Sequence, residues 1–165
     1  MAALALGAKA PEFELNTLDG KRFSLRDELV RGTVVLAFFK VSCPTCQYAF
    51  PFYERLHKAY GHNGVRLVGI SQNDARNTAE FIKEFGITFP VLLDDTRSYP
   101  VSNAYGLTNV PTIFEVAQDG EIEVASVGWL KADFEEINRR MADAGKSAPT
   151  AMFSPGEDVR DFRAG

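Results

Sequence analysis

The chain has 165 residues, of which 45% are hydrophobic and 24% charged. That fits one domain with an ordinary core and leaves no room for two of comfortable size. A net charge of −4 argues against nucleic acid as a partner. The closest thing to a basic footprint, Arg139-Arg140, stands among acids.

No apolar run reaches the ~20 residues that would cross a bilayer, so no membrane span is expected. Residues 1–7 (Met-Ala-Ala-Leu-Ala-Leu-Gly) are apolar but lack the basic leader of a secretory signal. The expectation is a soluble, cytoplasmic chain, unless a signal or anchor has been removed. Two cysteines separated by two residues are too few and too close for a structural disulfide framework, and point to redox chemistry or metal.

In chain order, residues 13–18 and 21–25 flank Asp19-Gly20, a hairpin signal, and a short helical turn is expected at 25–29. Residues 33–39 (Thr-Val-Val-Leu-Ala-Phe-Phe) form a near-continuous apolar run, the pattern of a strand buried on both faces. The cysteines follow at once. Residues 45–60 have helical spacing, with Ala49, Phe52, Tyr53, Leu56 and Tyr60 on one face, Gly61 as terminator and Pro51 as an expected kink.

A second buried strand is expected at 65–70, a helix at 75–85 closed by Gly86, a short strand at 89–93 and a short helix at 98–105. Residues 112–116 and 121–127 flank Asp119-Gly120 and read as an antiparallel hairpin. The last helix, 131–144, places Phe134, Ile137 and Met141 together, with acids near its start and Arg139-Arg140 near its end, as the helix dipole favours. The domain is therefore drawn as residues 1–145. Residues 146–165 are a Ser-, Pro-, Gly- and charge-rich tail, flexible unless Phe153 and Phe162 dock it on the domain. The fold class is α/β with mixed strand directions.

Cys43-Pro44-Thr45-Cys46 carries the chemistry. A thiolate attacks a disulfide, so the protein must stabilise charge on a reachable sulfur. At a strand–helix junction Cys43 meets the unpaired N–H groups and partial positive charge of a helix N-terminus. Pro44 suits the first helical position, having no N–H to leave unpaired. Cys46, one turn on, lies deeper and can resolve a mixed disulfide formed on Cys43. A zinc site needs about four ligands. His57, about 16 Å along the same helix from Cys46, cannot complete one and reads as a solvated surface residue. No metal and no other cofactor is expected.

At these residues the chain resembles the thioredoxin superfamily, and within it the TlpA-like (ResA-like) thiol–disulfide oxidoreductases of the redoxin group. The resemblance rests on the segment from Gly7 with its hairpin, the strand running into Cys43-Pro44-Thr45-Cys46, and Pro51. It continues through Gly86-Ile-Thr-Phe-Pro-Val91 and Val110-Pro111-Thr112, and spans about residues 7–142. It implies a thioredoxin-like fold: a central mixed β-sheet flanked by helices, with an N-terminal β-hairpin extension. It also implies Cys43 and Cys46 as catalytic residues and a cis Pro111 facing them. Val110 and Pro111 would bind substrate, the Val110 backbone pairing with an extended segment.

The implied partners are protein thiols and disulfides and an unidentified electron donor; oligomeric state stays open. Three departures stand out: Ala37 and Ala49 replace carboxylates that superfamily members carry, and Ser42 replaces the usual Trp. Lys40 could favour a thiolate on Cys43 by folding back, although a strand-end lysine more often reaches solvent.

The nearest alternative is a thiol peroxidase of the peroxiredoxin kind, whose pattern wants Pro and Thr or Ser where Leu36 and Lys40 stand. A third reading is a non-catalytic redox switch. A copper carrier would want wider cysteine spacing and a placed histidine, and neither is evident.

Overall fold

A computed structural model describes residues 2–165. Its centre is a five-stranded sheet ordered β5-β4-β3-β6-β7, built from β3 (Val34–Phe39), β4 (Arg66–Ser71), β5 (Val91–Leu93), β6 (Thr112–Val116) and β7 (Ile122–Val127). Strands β3, β4 and β5 run parallel, while β6 is antiparallel to β3 and β7 to β6. Every residue of β3 is buried, as its unbroken apolar run predicts for a central strand.

Period-two alternation divides the sheet's side chains between two cores. On one face Val35, Ala37 and Phe39 pack with Phe50, Tyr53 and Leu56 of α2 (Pro44–Tyr60), Phe81 of α3 (Ala75–Phe85), and Phe134, Ile137 and Met141 of α5 (Lys131–Ala144). On the other, Val34, Leu36 and Phe38 meet Phe13, Phe23, Leu25, Val101 and Tyr105. These come from the hairpin β1 (Glu14–Asn16) and β2 (Arg22–Ser24), from α1 (Leu25–Leu29), and from the short α4 (Pro100–Ala104) with its flanks.

Both sheet edges are covered in part. Leu18 N–H bonds Val91 O along β5, and Gly7 and Ala8 exchange backbone bonds with Ile122 along β7. Covering an edge removes a template for pairing with another chain.

The boundaries of α3, β6 and α5 coincide with the expectation from periodicity. Strand β5 starts two residues later than expected, at Val91, and α2 runs without interruption through Pro51. Two elements carry no periodic signal, being two residues each: β8 (Trp129–Leu130) and β9 (Phe162–Arg163), which pair antiparallel. The segment after α5 thus packs back on the body. Met152 is buried, and Phe153 sits edge-on to Phe52 at 5.6 Å and beside Phe134 at 5.5 Å. Of the two aromatics expected to dock it, only Phe153 does so; the Phe162 ring is 60% exposed and its backbone makes the contact instead.

His57 corrects the reading of a solvated histidine. It is half-buried edge-on to Phe89 at 6.0 Å, and its Nδ1 has no hydrogen-bond partner. Desolvation holds its pKa below the usual histidine value. No helix among the described residues is long and apolar enough to cross a membrane.

Candidate active site

Strand β3 ends at Phe39, and after a three-residue loop Cys43 caps α2. The intervening loop is pinned from two sides: Asn73 Oδ1 accepts from Val41 N–H at 2.9 Å, and Gln47 Nε2 donates to Val41 O at 2.9 Å. Cys43 N–H also bonds Lys40 O at 3.2 Å. Cys43 has extended backbone angles, Pro44 opens the helix without an N–H to satisfy, and the Cys43 sulfur accepts from Cys46 N–H at 3.1 Å. The thiol therefore occupies the place usually taken by a serine or aspartate cap, where helix N–H groups converge.

Those donors act on ionisation. The Cys46 thiol donating to the Cys43 sulfur is the largest influence, followed among the favourable ones by backbone N–H groups of Cys46 and Thr45 and by the Arg163 charge. Against partial burial they hold the Cys43 pKa down at about 6. Cys46 is the opposite case. It is fully buried, and desolvation, then the adjacent Cys43, push its pKa far above the ordinary thiol range. One sulfur is set up as a thiolate and the other as a proton donor to it.

Across the site the Val110–Pro111 peptide is cis. Val110 O lies 3.3 Å from the Cys43 sulfur, so the loop before β6 faces the first cysteine directly. Two bonds hold this loop: Thr112 Oγ1 donates to Asn109 O at 2.7 Å, and Gly128 N–H to Pro111 O at 2.7 Å. The structure thus gathers all four residues singled out from the sequence: Cys43, Cys46, Val110 and Pro111.

Ala37 and Ala49 are both fully buried in the cluster that holds Cys46, which leaves that thiol in apolar surroundings. Position 42 carries Ser, and the chain's one Trp, Trp129, is buried against Tyr48 and Phe52 of α2. Lys40 is exposed, and the cation acting on Cys43 is Arg163, from the tail. Sequence reasoning missed Arg163 because 120 positions separate it from Cys43 and no motif ties them. No cluster of three or more His, Cys, Asp or Glu residues with metal-holding geometry occurs among the described residues.

Residues 6–125 match the profile of the AhpC/TSA family. The chain belongs to that family. Among its curated relatives, the thiol–disulfide oxidoreductase ResA of Geobacillus thermodenitrificans (strain NG80-2) is 32% identical over 136 residues, spanning 81% of this chain and 76% of the relative. ResA of Bacillus subtilis (strain 168) is 31% identical over 129 residues, spanning 78% and 70%.

Solved structures show the same kinship. A thiol:disulfide interchange protein of the thioredoxin family from Chlorobium tepidum TLS superposes with a TM-score of 0.69 at 30% identity, covering 87% of this chain and 99% of that one. A thiol:disulfide interchange protein from Bacteroides sp., at 22% identity and a TM-score of 0.71, shows the shared fold alone. The family member described here is thus a ResA-like thiol–disulfide oxidoreductase with the thioredoxin-like fold.

Proposed function

We propose that the chain exchanges disulfides with protein partners, with Cys43 as nucleophile, Cys46 as resolving thiol, and Val110 and Pro111 as the surface that receives the partner segment. The observation that carries the reading is the Cys43 sulfur. It caps α2, accepts from Cys46 N–H, and lies 3.3 Å from Val110 O on the opposing loop. A segment seated on the Val110 backbone would present its disulfide to that sulfur, with main-chain bonds supplying affinity in the manner of an added strand.

In the reducing direction the Cys43 thiolate attacks one sulfur of the partner's disulfide and releases the other as a thiolate. Cys46 then loses its proton and attacks the Cys43 sulfur. The partner leaves fully reduced, and the Cys43–Cys46 disulfide retains the oxidation. Two electrons have passed to the partner, and a separate thiol donor must restore the pair. The oxidising direction runs the same steps backwards. With alanine at 37 and 49, no carboxylate at those positions takes the Cys46 proton, so resolution is expected to be the slower half of the cycle.

The peroxidase alternative finds no support at the positions it needs. Leu36 is buried mid-strand in β3, and Lys40 offers an ammonium where a hydroxyl would hold peroxide. The deciding experiment feeds the reduced protein insulin disulfide or hydrogen peroxide under the same thiol donor. Catalysed turnover of insulin, with peroxide consumed no faster than by a free thiol, is the expected result. The reverse preference would refute exchange as the function.

A further inference from the structure

The segment after α5 falls into two parts held by different forces. Residues 150–157 are riveted to the body. Met152 is buried, Arg55 forks onto both carboxylate oxygens of Glu157 at 2.8 Å and onto Met152 O at 2.8 Å, and Thr150 N–H bonds the Tyr60 hydroxyl at 2.8 Å. Residues 160–165 form an arm with little buried side chain, held mainly through its backbone. Trp129 Nε1 donates to Arg160 O at 2.7 Å, Arg160 N–H to the Tyr48 hydroxyl at 3.0 Å, and Lys131 N–H to Asp161 O at 2.9 Å. Phe162 and Arg163 then pair with Leu130 and Trp129.

The arm reaches the active-site groove. Thr45, inside the Cys-Pro-Thr-Cys turn, donates its hydroxyl to Ala164 O at 2.5 Å, and Asn109 Nδ2 reaches Gly165 O at 3.4 Å. The fit is tight enough to demand glycine. A Cβ on Gly165 would come within 2.4 Å of Val110 O, and one on Gly128 within 2.8 Å of Arg163 O. The arm therefore covers both walls of the groove, the first turn of α2 and the Val110 loop.

We infer that residues 161–165 are an internal stand-in for the partner's extended segment, and that a protein disulfide must lift this arm to reach Cys43. This rests on the exchange reading of Cys43 and Val110. The arm also shows what the groove accepts. It takes an extended backbone, a residue without a side chain against Val110, and a cation two positions before it, where the Arg163 guanidinium lies 5.5 Å from the Tyr48 ring centre. A small disulfide needs only the Cys43 sulfur and passes the arm. A protein disulfide needs the groove, so its apparent affinity falls by the fraction of molecules with the arm lifted.

The test compares the natural protein with Gly165→Leu, whose side chain collides with the Val110 carbonyl, using insulin as the protein disulfide and bis(2-hydroxyethyl) disulfide as the small one. Expected at pH 8, where Cys43 is thiolate with or without the nearby Arg163 charge, is a rise of about tenfold in kcat/KM for insulin, with the small disulfide changed less than about twofold. Equal changes for both substrates, or no change for either, would overturn the inference. Failure of both proteins to reduce either disulfide would instead defeat the exchange reading, and the strap with it.

A second measurement leaves the arm unaltered. In Cys46→Ser protein, Cys43 is charged either with a cysteine peptide or with 2-mercaptoethanol, each supplied as its mixed disulfide with 5-thio-2-nitrobenzoate, which departs as the thiolate. Amide hydrogen exchange at Lys131, whose N–H bonds Asp161 O, and at Arg163, which pairs with Trp129, should lose protection with the peptide and keep it with the small thiol. Retained protection in both adducts contradicts the strap.

Discussion

Cys46→Ser protein mixed with an oxidised protein substrate should accumulate as a covalent adduct through Cys43, with steady-state turnover lost to the uncatalysed background. The two thiols act in sequence. Cys43 can complete the first attack alone, since its sulfur is partly exposed and caps α2. Only the buried Cys46 stands where it can attack that sulfur in return, one helical turn away. Removing it stops the cycle after the mixed disulfide forms. Cys43→Ser should give neither adduct nor turnover. Non-reducing electrophoresis with mass analysis reads both variants. An adduct through Cys46 in the Cys43→Ser protein would reverse the assigned order.

Alkylation of the reduced natural protein by iodoacetamide should rise with pH through a midpoint near 6 and level off above it. The sign follows from which form the site favours. Thiolate is the charged form, the Cys46 thiol and the helix N–H groups donate to it, and the Arg163 charge attracts it. All three lower the pKa against the opposing pull of burial.

The effect is large at neutrality. A thiol with pKa about 6 is roughly 90% thiolate at pH 7, against about 3% for a free cysteine of pKa ~8.5. Cys46 does not compete, because burial holds it protonated across this range. Cys46→Ala removes the strongest donor and should move the midpoint upward. A natural-protein midpoint near 8.5 would show that the cap does not hold a thiolate.

Much of this site is written in short, local signals. The run from Val34 to Phe39 could only be a central strand, and a strand running into Cys-Pro-x-Cys fixes where the sulfurs sit. Val110-Pro111-Thr112 is distinctive enough that the resemblance placed it opposite the cysteines, where the Val110 carbonyl lies.

What escaped is long-range and carried by backbone. Strands β8 and β9 are two residues each and have no room for alternation, and their pairing joins positions more than thirty apart. Phe162 misled, since its ring stays in solvent while its main chain pairs. His57 misled in the other direction. A lone histidine on an amphipathic helix gives no hint that Phe89, from a distant loop, will fold over it. Lys40 drew attention by being near Cys43 in sequence, whereas Arg163 acts from the far end of the chain.

The most direct test is redox equilibration of the purified protein against graded glutathione or dithiothreitol buffers, following the Cys43 and Cys46 thiols together. The account predicts one reversible two-electron transition in which both thiols are lost at once. The midpoint is expected within the range spanned by thioredoxin and the strong oxidant DsbA, roughly −270 to −120 mV. Oxidation of Cys43 alone while Cys46 stays reduced, or the absence of any reversible couple, would contradict exchange through this pair.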